Sequence, residues 1–214
     1  MKATNEAYDK LMARPLDGFK EEIEPLSTYK GGEYDHFIAD YTKTKAASGR
    51  FMHPYVASDT HGHGIYHGLP GLLSDIDPTT VLDLGCGGGE MMSHIRRIKP
   101  AAEVYGCTIH VGECVHGRDT HGLSLMPADM RTISKYFNKG SIDLIVAHAS
   151  LHFLTEEDQR KTVADVLPLL SEGGVLLIIH YKDPAHYTIT KPEGYQPICS
   201  YPGFIGKAEL YKAR

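Results

Sequence analysis

Histidine is the first chemistry this chain offers. Thirteen occur in 214 residues, and imidazole changes charge near neutral pH, moves protons and binds metals. Two of them close apolar runs: His148 follows Ile142–Ala147, and His180 follows Val175–Ile179 with Tyr181 next to it. The carboxyl end of a buried strand is where open α/β sheets hold their ligands. His61, His63 and His67 stand at i, i+2 and i+6 among glycines. That set could ligate a transition metal. Asp59 is its one nearby acid and no cysteine sits at a recognised spacing, so a polar loop lining a substrate pocket is expected, and no metal. The remaining feature is Val81-Leu82-Asp83-Leu84-Gly85-Cys86-Gly87-Gly88-Gly89-Glu90. Glycines at 85, 87 and 89 make a tight turn in which no Cβ keeps a ligand from the backbone.

These residues need a scaffold, and the pattern supplies one. Val81–Leu84 reads as a short buried strand after the turn signal Asp77-Pro78. Met91, Met92, Ile95 and Ile98 fall at helical spacing before Pro100, which predicts a helix from about Glu90 to Ile98. Further strands are predicted at Glu103–Ile109, across Gly122–Met130, from Ser141 and at Val175–Ile179, with a last antiparallel strand within Gly206–Arg214. Thr155-Glu156-Glu157-Asp158 has the form of a capping box, so a helix starts there and runs towards Leu170, with an irregularity at Pro168. Residues 1–75 do not follow this repeat, although Tyr34, Phe37, Ile38 and Tyr41 have the spacing of a helix face.

Composition narrows the classes. An apolar content of 42% suits one domain with a substantial core. No apolar run approaches the ~18 residues that span a membrane. The start, Met1-Lys2-Ala3-Thr4-Asn5-Glu6, lacks a secretory signal's apolar core, so a cytoplasmic protein is expected. A net charge of -5 argues against broad nucleic-acid binding. Cys86, Cys107, Cys114 and Cys199 form no C-x-x-C pair, which fits reduced thiols. The absence of Lys-Ser/Thr after the glycines argues against a P-loop, and G-x-G-x-G is not the dinucleotide spacing.

VLDLGCGGGE resembles the first motif of the class I S-adenosylmethionine-dependent methyltransferases, V-L-D-[LI]-G-C-G-x-G. Three later stretches agree. Gly122–Met130 is similar to the family's third strand and its A-D-[MA] turn. Asp143 to Leu154 is similar to F-D-x-V-x-x-x-x-x-L-H-H-L, and Leu169 to Ile178 to L-L-x-x-G-G-x-L-L-I. The resemblance implies a doubly wound, Rossmann-like α/β sheet over residues 76–214, preceded by an N-terminal helical lid or substrate segment over 1–75. It implies S-adenosylmethionine as cofactor, held by Tyr34, Asp83, Gly85, Cys86, Gly87, Gly89, Thr108, Ile109, Asp129, Met130, Ala147 and His148. A small-molecule acceptor would meet His61, His63 and His67, with His148, His180 and Tyr181 as candidates for the chemistry. Asp129 would accept a hydrogen bond from the adenine amine, cap the following helix, or do both.

One departure stands out. The second strand ends in Cys107-Thr108, where the family usually has an acid for the ribose hydroxyls. Gly106-Cys107-Thr108-Ile109-His110 resembles instead the G-[IV]-T-L-S form of the cyclopropane-synthase-like and terpenoid C-methyltransferase branches. The threonine hydroxyl can still bond a ribose, and Glu113, soon after, could substitute for the acid, although a solvent-facing helix position is expected of it. The other readings are a protein that binds the cofactor without methyl transfer, whether regulatory or catalysing a non-methyl reaction, and, further off, an RNA methyltransferase. The short stretch after the fifth strand allows a homo-oligomer in which a partner subunit helps to hold the substrate.

Overall fold

A computed structural model describes residues 2–19, 69–148, 150–180, 197–200 and 207–212. Its centre is a seven-stranded sheet in the order β3-β2-β1-β4-β5-β7-β6. The strands are β1 Thr80–Leu84, β2 Glu103–Thr108, β3 Met126–Pro127, β4 Ile142–His148, β5 Leu170–His180, β6 Pro197–Ser200 and β7 Lys207–Lys212. β1 to β5 run parallel, whereas β7 is antiparallel to both β5 and β6. The chain moves outward from β1 to β2 and β3, then returns to lay β4 on the other side of β1. The carboxyl ends of β1 and β4 therefore flank the point where the winding reverses, and a crevice forms there in such sheets.

Helices cover both faces, so the parallel strands are apolar on both. On one face α2 (Leu69–Ile76) and α3 (Glu90–Ile98) bury Leu69, Leu72, Leu73, Met91 and Ile95 against Val81, Leu144, Val146 and Leu177. On the other, α1 (Glu6–Met12) and α5 (Glu156–Val166) join Leu82, Leu84, Ile145 and Ile178. Strand alternation puts Asp83 on the same face as Val81, which is the face α3 covers. Its carboxyl is thereby buried, with 2% exposure. α4 (Val111–His121) follows β2 and ends at a left-handed Gly122.

Several expectations are refined. α3 has the range its spacing predicts, and Thr155 caps α5 by accepting from the Asp158 N–H. The third strand is only two residues long. Pro127 cannot donate to a ladder, and Leu123 and Leu125 turn inward to pack with Cys86, Met92 and Cys114. The helix after Leu154 stops at Val166 in favour of a 3-10 turn at Leu167–Leu169. β5 begins earlier than its apolar run, because the pairing jumps from Ile142↔Leu170 to Leu144↔Val175 and leaves Ser171–Gly174 as a bulge. A boundary drawn after residue 75 falls inside α2, whose leucines belong to the sheet's core. The rest of the proposed lid, residues 20–68, lies outside the described residues.

Asp143 ties this architecture together at the amino ends of the strands. Its Oδ2 accepts from the Thr79 N–H at 2.9 Å, the Thr79 hydroxyl at 2.7 Å and the Thr80 N–H at 3.1 Å. Its Oδ1 accepts from the Ser171 hydroxyl at 2.6 Å. Partial burial opposes ionisation, but the bonds from Ser171, Thr79 and Thr80 outweigh it and hold the carboxyl below its usual range. Asp143→Ala should cost about 2–3 kcal/mol in urea unfolding, as expected for losing hydrogen bonds to a charged group. Because the folded pKa is lowered, this contribution is present at neutral pH and is lost as pH falls below about 4. A variant as stable as the parent at pH 7 would contradict this role.

Candidate functional site

The turn after β1 opens the crevice. Gly85, Gly87 and Gly89 all have positive φ, at 70°, 56° and 90°. An added Cβ at Gly85 would lie 2.6 Å from Ser150 Cβ and 3.0 Å from Met130 Cε. The turn is thus pressed against the exits of β4 and β3. At Gly87 the same atom would meet, among the described residues, only two carboxylate oxygens, Glu113 Oε1 and Glu90 Oε2, each at 3.9 Å. A ligand can approach the backbone there, and two acids face it.

Of the two places open to Glu113, the structure departs from the expected solvent-facing one. Glu113 is 7% exposed, and the Thr108 hydroxyl donates to its Oε2. Thr108 Oγ also accepts from the His110 N–H at 3.2 Å. The hydroxyl's one proton is therefore spent on orienting Glu113. The acid missing from the end of β2 has moved to the first turn of α4 and returned to the same place. The signal was present: a helix beginning at Val111 leaves its first turn beside the strand end, so its residues can still face the crevice.

Asp83 lies beneath the turn. Burial, and then the neighbouring Glu90, push its carboxyl up to about 7. Asp83, Glu90 and Glu113 make the surroundings of the turn acidic and suited to a cationic ligand. Cys86 does not face the opening. Its thiol sits in the small apolar cluster with Met92 and Cys114 and donates to the Gly87 carbonyl at 3.6 Å. Burial raises the Cys86 thiol well above its ordinary pKa and pushes Cys107 and Cys114 to about 12. None of the three is a thiolate nucleophile at neutral pH.

The remaining strand ends converge on the same edge. Asp129 caps the 3-10 turn Met130–Tyr136 by accepting from the Arg131 N–H at 2.8 Å, and its Oδ2 pairs with the Arg131 guanidinium at 2.6 Å. Oδ2 also accepts from Arg131 Nε at 2.9 Å and is filled, whereas Oδ1 keeps a lone pair, so capping and ligand binding are compatible. Ile109, Met130 and Ala147 are buried in the core cluster at these ends. His148 is the half-buried last residue of β4. Ser150, two residues on, is 3% exposed, and its Oγ has no hydrogen-bond partner among the described residues. It went unnoticed in the sequence because a lone serine after a strand carries no spacing signal. His180 ends β5 opposite Lys207. Tyr34, His61, His63, His67 and Tyr181 lie outside the described residues.

Residues 81–174 match the family described as a methyltransferase domain. The chain has the class I S-adenosylmethionine-dependent methyltransferase fold. A TehB-like SAM-dependent methyltransferase from Corynebacterium glutamicum superposes with a TM-score of 0.57 at 16% identity, over 86% of this chain and 100% of that one. TrmN from Thermus thermophilus gives 0.53 at 22% identity, over 67% and 47%. The plantazolicin methyltransferase BpumL, in complex with a pentazolic desmethylPZN analogue and SAH, gives 0.52 at 20%, over 75% and 61%. The chain spans about half the length of the solved structures first matched, 48% and 54%. No curated protein sequence matches it. The matched methyltransferase domain runs from β1 into β5 and contains the glycine turn, Thr108, Glu113, Asp129, His148 and Ser150. Among the described residues no helix is long and apolar enough to cross a membrane.

Proposed function

We propose that this chain is a methyltransferase that uses S-adenosylmethionine and acts on a small-molecule acceptor. The observation that carries the reading is the convergence of the open glycine turn and the buried Glu113 carboxylate at the switch point of the sheet. Bound there, S-adenosylmethionine would supply an activated methyl group on a sulfonium centre. The protein's own work is alignment, exclusion of water and, where the acceptor carries a proton, its removal.

The residues fit that cofactor. Glu113, oriented by Thr108, can accept from both ribose hydroxyls. Asp129 Oδ1 retains a lone pair for an exocyclic amine, and the Ser150 hydroxyl offers a bond inside an otherwise apolar wall. The acids around the turn suit a ligand that carries an ammonium and a sulfonium. His148, at the end of β4, is the candidate base, since a neutral imidazole accepts a proton near pH 7. His180 and Tyr181 on the β5 side, and Tyr34, His61, His63 and His67 ahead of the sheet, are the proposed further contacts to cofactor and acceptor. BpumL, of the same fold, is complexed with SAH, which supports the choice of cofactor. The acidic net charge supports a small acceptor over a nucleic acid.

Calorimetric titration with S-adenosylmethionine and S-adenosylhomocysteine tests this directly. One-to-one binding of both is expected, and Glu113→Gln should weaken it about 10- to 100-fold, the scale of losing charge-assisted hydrogen bonds. Binding of neither ligand at millimolar concentration would overturn the reading. Binding without turnover across a panel of nucleophilic acceptors would favour a binding protein instead.

A further inference from the structure

On the far side of Gly88, α4 carries two histidines that the crevice does not use, and they share Glu90 with it. His116 and His121 approach the carboxylate of Glu90, the first residue of α3, and one ligand atom from each lies within 4.8 Å of the others. His116 Nε2 is 4.0 Å from Glu90 Oε1, with the two side chains only 16% and 14% exposed. The imidazoles meet edge to face at 5.6 Å between centroids. On its other nitrogen, His116 Nδ1 is 3.2 Å from the Thr120 hydroxyl. Metal-binding histidines show this division of labour: one ring nitrogen is held by a hydrogen bond, which fixes the ring and leaves the other for the ion.

We propose that Glu90, His116 and His121 form a binding site for a zinc-like divalent transition-metal ion that clamps α3 to α4 behind the glycine turn. Two imidazoles and one carboxylate match the ligand preference of zinc and its neighbours. Magnesium and calcium require oxygen donors. Bonds of ~2.0–2.1 Å in a tetrahedral site put ligand atoms roughly 3.4 Å apart, so the group must contract by about an ångström. Side-chain rotations of Glu90 and of the two histidines can supply that movement without shifting either helix. Three protein ligands leave a coordination position for water. Gly88 makes the convergence possible, since a Cβ there would lie 2.8 Å from His116 Cδ2 and 2.9 Å from Glu90 Oε1. The site does not depend on the methyltransferase reading. It also differs from the His61, His63 and His67 segment to which spacing alone drew attention.

The test uses the full chain, stripped with a chelator and titrated with zinc and then with cobalt. One equivalent of zinc should bind with a Kd below about 1 μM, zinc should raise the melting temperature, and cobalt should give a visible absorption band. His116→Gln combined with His121→Gln should weaken zinc binding at least about 100-fold, since even outer-shell changes cost 10- to 100-fold. Glu90→Gln, which keeps the side-chain volume, should weaken it too. A triple His61→Gln, His63→Gln, His67→Gln variant should bind zinc as the parent does. Absence of zinc binding by the parent, unchanged binding in the double variant, or loss in the triple variant would each overturn the proposal.

Discussion

Gly87→Arg should abolish binding of S-adenosylhomocysteine, by at least about 1,000-fold or some 4 kcal/mol, while the chain stays folded. Two effects act together. The new side chain would occupy the space above the turn through which a ligand reaches the backbone. Its guanidinium would also find two carboxylates at hand, because the Cβ position lies 3.9 Å from both Glu113 and Glu90 oxygens. The substitution thus inserts a cation where the cofactor's own cationic groups and ribose are expected, and Glu113 is diverted to it. The backbone cost is modest: a non-glycine residue at a φ of 56° loses about 1–2 kcal/mol, part of which the new ion pairs offset. Gly89 is the contrasting position. A Cβ there would lie 2.6 Å from Leu123 Cδ1 at a φ of 90°, so Gly89→Ala should destabilise the fold itself. Calorimetry and thermal melting on both variants separate the cases. Retained binding in a folded Gly87→Arg protein would remove the turn from the cofactor site.

That contrast also explains how much the sequence could reveal. Val81–Leu84, the glycine triplet and the helix after it were legible because strand length, turn chemistry and helical period all agree over one short stretch. The same holds for β2, β4 and the apolar part of β5. The failures have specific causes. Burial of Glu113 depends on how α4 leaves β2, and a carboxylate in a first helical turn reads equally well as solvated. β3 is short because Pro127 interrupts the ladder and Leu123 and Leu125 are used in the core, which hydrophobicity alone does not distinguish from strand pairing. The early start of β5 reflects a bulge, which carries no periodic signal. Glu90, His116 and His121 belong to two different helices, so no spacing along the chain reports them. Local pattern wrote the scaffold, and the acids and histidines that matter were brought together by the packing of α4.

Asp83 gives the other large effect, through pH. In the folded chain its carboxyl titrates at about 7 because it is buried and then because Glu90 is near, whereas in the unfolded chain it titrates near 4. Between those values the folded state holds a proton that the unfolded state has released. Stability therefore falls as pH rises through this window and levels off above it, by roughly 4 kcal/mol in all. Asp143 works in the opposite sense at lower pH, so the informative quantity is the difference between parent and variant. Asp83→Asn keeps the shape and removes the ionisation. It should be the more stable protein at pH 8 by a few kcal/mol, with the advantage shrinking towards pH 4.5. A pH-independent difference would refute the assignment. The same strain is useful to the proposed cofactor. An ammonium or sulfonium arriving beside the turn lowers the pKa of Asp83, so binding near pH 6 should release up to one proton, measurable by calorimetry in buffers of different ionisation enthalpy. Asp83→Asn should bind more weakly and release none. On this account the acid costs stability while the crevice is empty and regains it when a cation binds, so the buried carboxylate of β1 couples folding to the ligand.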